Sequence, residues 1–175
     1  MFKTIMLLGF ALLSFNSWAT DTKELFSIIN ERLSYMEDVA LYKAQNQIAI
    51  EDVKREKVVI EKAASSAEQM GLESASVVPF FTAQISAAKA IQYRYRADLL
   101  SKPNTDKPRD LKTVVRPALI TLGNQINTEV ASYLTVHGSL NEKDWANFKL
   151  IIDSRYLSEN DKKMLFNALK EIRLN

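Results

Sequence analysis

Apolar residues recur every three to four positions along most of the chain, and few helix-breaking residues interrupt them. This spacing places apolar side chains along one side of an α-helix, whereas a half-buried strand requires strict alternation. The 175 residues include only 4 glycines and 4 prolines, so long helices can form. A chain of this length also suits one domain with its own core. The sequence therefore predicts an all-α, single-domain bundle.

Six segments carry the helical pattern, and short connections join them. The predicted helices cover residues 22–45, 52–71, 76–100, 113–134 and two shorter segments within 141–156 and 158–175. Ser76 and Ser158 are the expected N-caps of the third and last helices, and Gly138 is the expected C-cap of the fourth. Pro79 is expected in the first turn of the third helix. Short connections favour antiparallel neighbours, which indicates a bundle of about six helices.

The first 19 residues have the layout of a secretory signal peptide. A basic Lys3 precedes an apolar run over residues 5–15, and the small residues Ser17 and Ala19 follow it. The run is shorter than the roughly 20 residues that a membrane-spanning helix needs. We therefore expect cleavage after Ala19, a mature domain over residues 20–175, and a periplasmic location in a Gram-negative source.

Composition excludes several kinds of site. The chain has no cysteine and one histidine, His137, so it cannot form a disulfide or a thiolate metal site, and a histidine-based metal cluster is not expected. Its formal net charge is +2, and it has no dense block of Lys and Arg. We therefore expect no nucleic-acid partner and no bound metal.

Charged residues interrupt the apolar stripe within ERLSYMEDVALYKAQNQIAIEDVKRE, residues 31–56. Arg32 and Lys43 are eleven positions apart, which is three helical turns plus roughly 20°, so they share one face. Asp52, Arg55 and Glu56 have the i, i+3, i+4 spacing and also share a face. The pattern predicts that these side chains point toward the interior of the bundle.

The third predicted helix adds Ala88 and Gln92, which are one turn apart. Taken singly, each charged residue could instead belong to a solvated surface. Unpaired buried charges cost several kcal/mol each, however, so three cations, two carboxylates and an amide facing inward need a ligand. We expect a small anion with about two negative charges and additional hydroxyl or ether oxygens.

The segments RL..M..VALYKA, IEDVKRE and FF..QI.AAKAIQ resemble the secreted, all-helical chorismate mutases. The resemblance covers essentially the whole mature chain and is strongest over residues 25–100. It implies a type II chorismate mutase fold and conversion of chorismate into prephenate by an intramolecular Claisen rearrangement, without a nucleophile, metal or cofactor. It also implies a homodimer in which each site lies within one protomer.

The resemblance further implies a role for each matching residue. Arg32 grips the enolpyruvyl carboxylate, Lys43 lies between a carboxylate and the ether oxygen, and Gln92 is the second donor to that oxygen. The remaining positions are Arg55, which binds a carboxylate or orients the polar network, Asp52 and Glu56 for the ring hydroxyl, and Ala88 through its backbone.

One position stays open at the sequence level. Some secreted relatives complete the carboxylate clamp with an arginine on the fourth helix, and Gln125 aligns with it. Arg116 lies nine residues earlier and on another face, so the two residues cannot both point to the same site. The sequence leaves open which of them takes this role. Residues 20–100 are thus expected to carry most of the site, and residues 112–175 to complete the bundle.

A second hypothesis requires no catalysis. The chain could be a periplasmic helical protein that binds a small anion, or an adaptor that uses its helix faces for partners. Inward convergence of Arg32, Lys43, Arg55 and Gln92 distinguishes the hypotheses, because an adaptor does not need it.

Overall fold

The computed structural model describes residues 22–175, and within this range it contains seven α-helices and no strand. The predicted signal segment, residues 1–19, lies outside the described residues. The helices are α1 (Thr22–Ser34), α2 (Met36–Gln45), α3 (Val53–Gln69), α4 (Ser74–Ser101), α5 (Arg116–His137), α6 (Trp145–Ile151) and α7 (Glu159–Lys170). A π-helical turn, Leu111–Val115, leads into α5, and a 3-10 turn, Glu142–Asp144, leads into α6. The all-α prediction is confirmed.

The first predicted helix is interrupted at Tyr35, which separates α1 from α2. The backbone of Tyr35 stays near helical values, with φ −69° and ψ −13°. The guanidinium of Arg109 lies 4.1 Å from the centre of the Tyr35 ring and also pairs with Asp38. This long-range contact adjoins the break and is invisible to local spacing. If α1 and α2 are counted as one interrupted helix, the described residues form six helices.

The start of α4 differs from the prediction. Glu73 is the N-cap and the helix begins at Ser74, so Pro79 lies beyond the first turn. The prediction that Ser76 caps this helix is wrong, because its hydroxyl donates to the Glu73 carbonyl and accepts the N–H of Arg173. Ser76 therefore helps to attach the C-terminal segment to the α3–α4 turn.

Three other predicted helix ends agree with the structure. The Asp52 carboxylate caps α3 by accepting the N–H of Arg55 at 3.0 Å. Gly138 ends α5 with φ +77°, a conformation that glycine adopts readily. Ser158 caps α7 in a reciprocal pair with Asp161. These boundaries follow from residues close in sequence.

Helix α4 is the central element of the described bundle, since it packs against α2, α3 and α7. On the opposite side, α1 packs against α5 and α6, and α3 also contacts α5. The largest fully buried side chains are aromatic: Phe26, Phe80, Phe81, Phe148 and Phe166. Within residues 22–175, no helix has both the length and the apolar composition that crossing a membrane requires. This packing leaves a cavity on the side where α2, α3, α4 and α5 meet.

Candidate active site

A cavity of about 170 Å³ lies among α1, α2, α3, α4 and α5. One water molecule needs roughly 10–15 Å³, so the cavity can admit a small organic molecule. Its walls are largely apolar and include side chains such as Met36, Val39, Phe81 and Ile85. Apolar walls with a few converging polar groups are typical of small-molecule sites.

The charged groups of the cavity are mostly cationic. Six cations line it against two carboxylates, Asp52 and Glu56; the cations are Arg32, Lys43, Arg55, Lys62, Lys89 and Arg116. This excess of positive charge favours an anionic ligand, because low-dielectric walls strengthen the local field. Among the described residues, no group of His, Cys, Asp and Glu is placed to hold a metal ion.

Seven of the eight predicted site residues line this cavity: Arg32, Lys43, Asp52, Arg55, Glu56, Ala88 and Gln92. They differ in depth. Arg32 is buried at 6% exposure and Gln92 at 5%, whereas Asp52 is exposed at the rim. Lys43, Arg55 and Glu56 are half-buried in the wall. The predicted inward orientation therefore holds for six of these residues and is corrected for Asp52, whose position as N-cap of α3 keeps it in solvent.

The eighth residue, Gln125, is exposed and does not line the cavity. The face of α5 that does so carries Ile120, Gly123 and Asn124, and Gln125 is rotated a further 100° or so from Asn124. Arg116, the first residue of α5, does line the cavity. The expectation for Gln125 is therefore corrected, and Arg116 is the α5 cation that a ligand in this cavity would meet.

Arg32 lies in the last turn of α1 and is held from the side of α4. Its Nη1 donates to Oε1 of Gln84, and its guanidinium carbon is 5.8 Å from the centre of the Phe81 ring. Burial lowers the pKa of Arg32 to about 10, so the side chain still carries its charge at neutral pH. Its Nε is buried and has no hydrogen-bond partner among the described residues.

Lys43 lies in the last turn of α2, and its Nζ donates to the Ile50 carbonyl at 2.6 Å. Burial lowers the pKa of Lys43, while the negative charges of Asp52 and Glu56 act in the opposite direction. The positive charge of Arg116 lowers this pKa further. Repulsion between two neighbouring cations is relieved when an anion binds between them, so this pair is suited to a carboxylate.

A second polar group forms where α3 and α4 meet. Oε1 of Glu56 accepts the backbone N–H of Asp52 at 3.3 Å, and its Oε2 accepts from Nζ of Lys89 at 3.1 Å. Lys89 also lies 3.9 Å from a carboxylate oxygen of Glu51. These contacts hold the Glu56 carboxylate at the cavity wall, where it can accept a hydrogen bond from a ligand hydroxyl.

Gln92 lies deep in the cavity on α4. Its Nε2 donates to the Ala88 carbonyl at 3.2 Å and contacts Sδ of Met36 at 3.7 Å, while its buried Oε1 has no hydrogen-bond partner within residues 22–175. Ala88 therefore contributes through its backbone, which orients the Gln92 amide. A carboxamide donor at this depth can serve a neutral ether oxygen without a change of protonation.

Sequence reasoning missed two cations that line the cavity, Lys62 and Lys89. Lys62 was detectable, because it follows Arg55 and Val59 at the i, i+4, i+7 spacing of one face of α3. Lys89 follows Ala88 directly and reaches the wall through its flexible stem, so helical spacing does not reveal it. The choice between Arg116 and Gln125 was also open in the sequence, because it depends on which face of α5 is turned toward the cavity.

Comparisons with known proteins agree with this geometry. The model of the family described as chorismate mutase type II matches residues 21–93, so that it includes α1, α2, α3 and α4 as far as Tyr93. A secreted chorismate mutase of Yersinia pestis is 42% identical over 148 residues, covering 84% of this chain and 79% of that relative. A monofunctional chorismate mutase of Enterobacter agglomerans is 41% identical over 150 residues, covering 85% and 82%.

The fold also matches a solved structure over nearly its whole length. The crystal structure of the secreted chorismate mutase from Yersinia pestis superposes with a TM-score of 0.81 and 40% sequence identity. The match covers 87% of this chain and 98% of the solved chain. It therefore extends well beyond residue 93, where the match to the family model ends.

Proposed function

The chain belongs to the chorismate mutase type II family, and from this premise we propose that its cavity binds chorismate and rearranges it to prephenate. The protein is accordingly an isomerase. One observation carries the assignment of the site: six cations and the Gln92 amide converge on a single cavity of ligand size.

The reaction requires positioning and charge stabilisation. Chorismate is a dicarboxylate with a ring hydroxyl and an enolpyruvyl ether. As the ether C–O bond breaks and a new C–C bond forms within the same molecule, partial negative charge develops on the ether oxygen. An enzyme can accelerate this step by holding the reactive conformer and directing donors at that oxygen.

Each role is assigned to a residue of the described cavity. Arg32 binds the enolpyruvyl carboxylate, since a planar guanidinium can donate two parallel hydrogen bonds. Lys43 lies beside the ether oxygen, where its charge becomes more favourable as the bond breaks. Gln92 donates to the same oxygen from α4. Their placement in the walls of one cavity supports these three assignments.

The remaining residues bind the rest of the substrate. Arg116 and Arg55 supply positive charge for the second carboxylate, with Arg116 taking the role first considered for Gln125. Glu56 and Asp52 accept from the ring hydroxyl near the rim. Lys89 supports this contact, because its ion pair with Glu56 at 3.1 Å holds that carboxylate in place.

The non-catalytic alternative, a small-anion binder or adaptor, is less favoured. Adaptor surfaces need no internal cluster of cations, and the named relatives are chorismate mutases. A simple anion binder would also have no use for a buried amide donor that is oriented by Ala88.

The assay that tests this proposal follows the loss of chorismate absorbance with the purified mature protein. Lys43→Ala should reduce kcat/KM by about 100- to 1,000-fold, the usual cost of removing a donor to a developing oxyanion. Far-UV circular dichroism should show unchanged helicity. Unfolding of the variant would instead identify Lys43 as a structural residue.

A matched control is available on α3. Lys57 is exposed, pairs with Glu61 at 3.8 Å and lies outside the cavity. Lys57→Ala should therefore keep the wild-type kcat/KM. Wild-type protein that leaves chorismate unchanged would refute the catalytic assignment and favour the anion-binding alternative.

Export and assembly are further parts of the proposal. We infer that residues 1–19 direct the protein to the periplasm and are removed, which is supported by the relative named as secreted. Mass spectrometry of periplasmic protein should give an N-terminus at Thr20. We further propose a homodimer in which each site lies within one protomer. Size-exclusion chromatography with light scattering should then give twice the mass of the mature chain.

A further inference from the structure

Gln84 is a buried amide beside the cavity that no role above uses. It lies on α4, is 0% exposed, and does not line the cavity. Its Oε1 accepts a hydrogen bond from Nη1 of Arg32. Because a guanidinium can only donate, the amide must present its oxygen to Arg32, which leaves its own NH₂ group without a partner among the described residues.

The contact is unusual because a buried cation is held by a neutral group. Buried arginines are normally paired with a carboxylate. Within residues 22–175, none of the ion pairs includes Arg32. The Arg32 guanidinium is held instead by its hydrogen bond to Gln84. The charge of Arg32 therefore remains available to a ligand in the cavity.

Gln84 also places Arg32 relative to the rest of the site. Gln84, Ala88 and Gln92 follow one another at intervals of four residues, so they lie on nearly the same face of α4. One end of this face orients the Arg32 guanidinium, and the other carries the donor assigned to the ether oxygen. A single rigid helix thereby sets the spacing between the carboxylate contact and the ether contact.

We propose that Gln84 is a positioning residue, which aims Arg32 at the substrate carboxylate and, being neutral, leaves the Arg32 charge to the substrate. This inference rests on the proposed function. A carboxylate at position 84 would hold Arg32 equally well but would compete with the substrate for its charge. A side chain without a hydrogen-bond acceptor would leave the charge of Arg32 available to the substrate, but it would not hold the guanidinium in position.

Two variants distinguish the orientation of Arg32 from the availability of its charge. Gln84→Glu adds a negative charge that competes with the substrate, and Gln84→Met removes the hydrogen-bond acceptor. Steady-state kcat and KM for chorismate and the thermal midpoint Tm are measured for each, well below Tm. A carboxylate contact that is equally strong in the ground and transition states appears in KM rather than kcat. Gln84→Glu should raise KM by about tenfold to a hundredfold, with kcat within about threefold of wild type.

Gln84→Met should raise KM less than Gln84→Glu but lower Tm more, because it leaves a buried cation without an acceptor. This opposite order of KM and Tm is the signature of a positioning role. A purely structural residue would change Tm and leave KM at the wild-type value in both variants, and that result would overturn the inference. If Gln84→Glu does not fold, KM of folded Gln84→Met decides alone.

Asn127 offers a matched control. It is also 0% exposed, and its Nδ2 donates to the Ala63 carbonyl at 2.9 Å. Asn127→Asp makes the same amide-to-carboxylate change at a side chain whose hydrogen bond goes to Ala63 and not to Arg32, so it should lower Tm and keep the wild-type KM. Wild-type protein without turnover would refute the proposed function itself, whereas an active wild type with unchanged KM in Gln84→Glu would refute only the role of Gln84.

Discussion

In the proposed mechanism, the chemistry of Gln92 sets the pH range of this site. It is buried, and a carboxamide donates at any pH, whereas a glutamic acid at the same depth donates only while it is protonated. The other proposed donor to the ether oxygen, Lys43, has a pKa that burial lowers from the high ordinary value of lysine. Nothing assigned to the ether oxygen therefore needs to gain a proton near neutral pH.

We expect the wild-type kcat/KM to stay flat from about pH 6 to about pH 8. Gln92→Glu should instead lose activity as the pH rises through that range. Burial raises the pKa of the introduced carboxyl, and only its protonated form can donate. The measurement is a pH–rate profile of both proteins.

Two results would contradict this view of Gln92. A steep loss of wild-type activity between about pH 6 and about pH 8 would show that a titrating group serves the ether oxygen. A flat profile for active Gln92→Glu would show that position 92 donates nothing to it.

At the scale of elements, the C-terminal helices are joined by a charged cluster over aromatic rings. Glu142, at the start of the turn before α6, accepts from Nζ of Lys163 at 2.7 Å and also pairs with Lys170 on α7. The Lys163 ammonium lies 4.6 Å from the centre of the Trp145 ring. Hydrogen bonds from the two lysines lower the pKa of Glu142 to about 2.

The lowered pKa of Glu142 predicts that its contribution to the free energy of unfolding depends on pH. Because the folded-state pKa of Glu142 lies below its unfolded value, the contribution is complete above about pH 4.5 and disappears as the pH falls toward about pH 2. Glu142→Gln should have a lower Tm than wild type at neutral pH, and the gap should close over that acidic range. Thermal unfolding monitored by circular dichroism measures it, and a gap independent of pH would contradict the assignment.

At the scale of the whole molecule, the described chain surrounds its cavity with α1 and α2 on one side and α3, α4 and α5 on the others. Every proposed contact to the substrate comes from these helices or, for Asp52, from the N-cap of α3. The short helices α6 and α7 pack against α1 and α4 respectively, behind the elements that carry the site. The proposed catalytic groups therefore all come from one chain.

This architecture predicts that specific activity does not depend on protein concentration. Dilution through the range in which the proposed dimer dissociates should leave kcat and KM unchanged, since each protomer of that dimer is proposed to hold its own site. Light scattering gives the fraction of dimer at each concentration, and chorismate turnover is measured on the same samples. Activity that falls in proportion to the dimer fraction would show that a second chain completes the site.

The sequence alone determined the helices and most of the site. Helical periodicity is a local property, so the spacing of Arg32 and Lys43 indicated one shared face, and both residues line the cavity although Tyr35 separates α1 from α2. Capping residues such as Ser158 act within one turn and were equally visible. These features need only neighbours along the chain.

Only the tertiary structure decided how those faces meet. The orientation of α5 about its axis places Arg116 at the cavity and Gln125 in solvent. The hydroxyl of Ser76 accepts the N–H of Arg173 in the C-terminal segment. The contact of Gln84 with Arg32 joins residues 52 positions apart. Such contacts depend on the packing of whole helices, which local spacing along the chain does not encode.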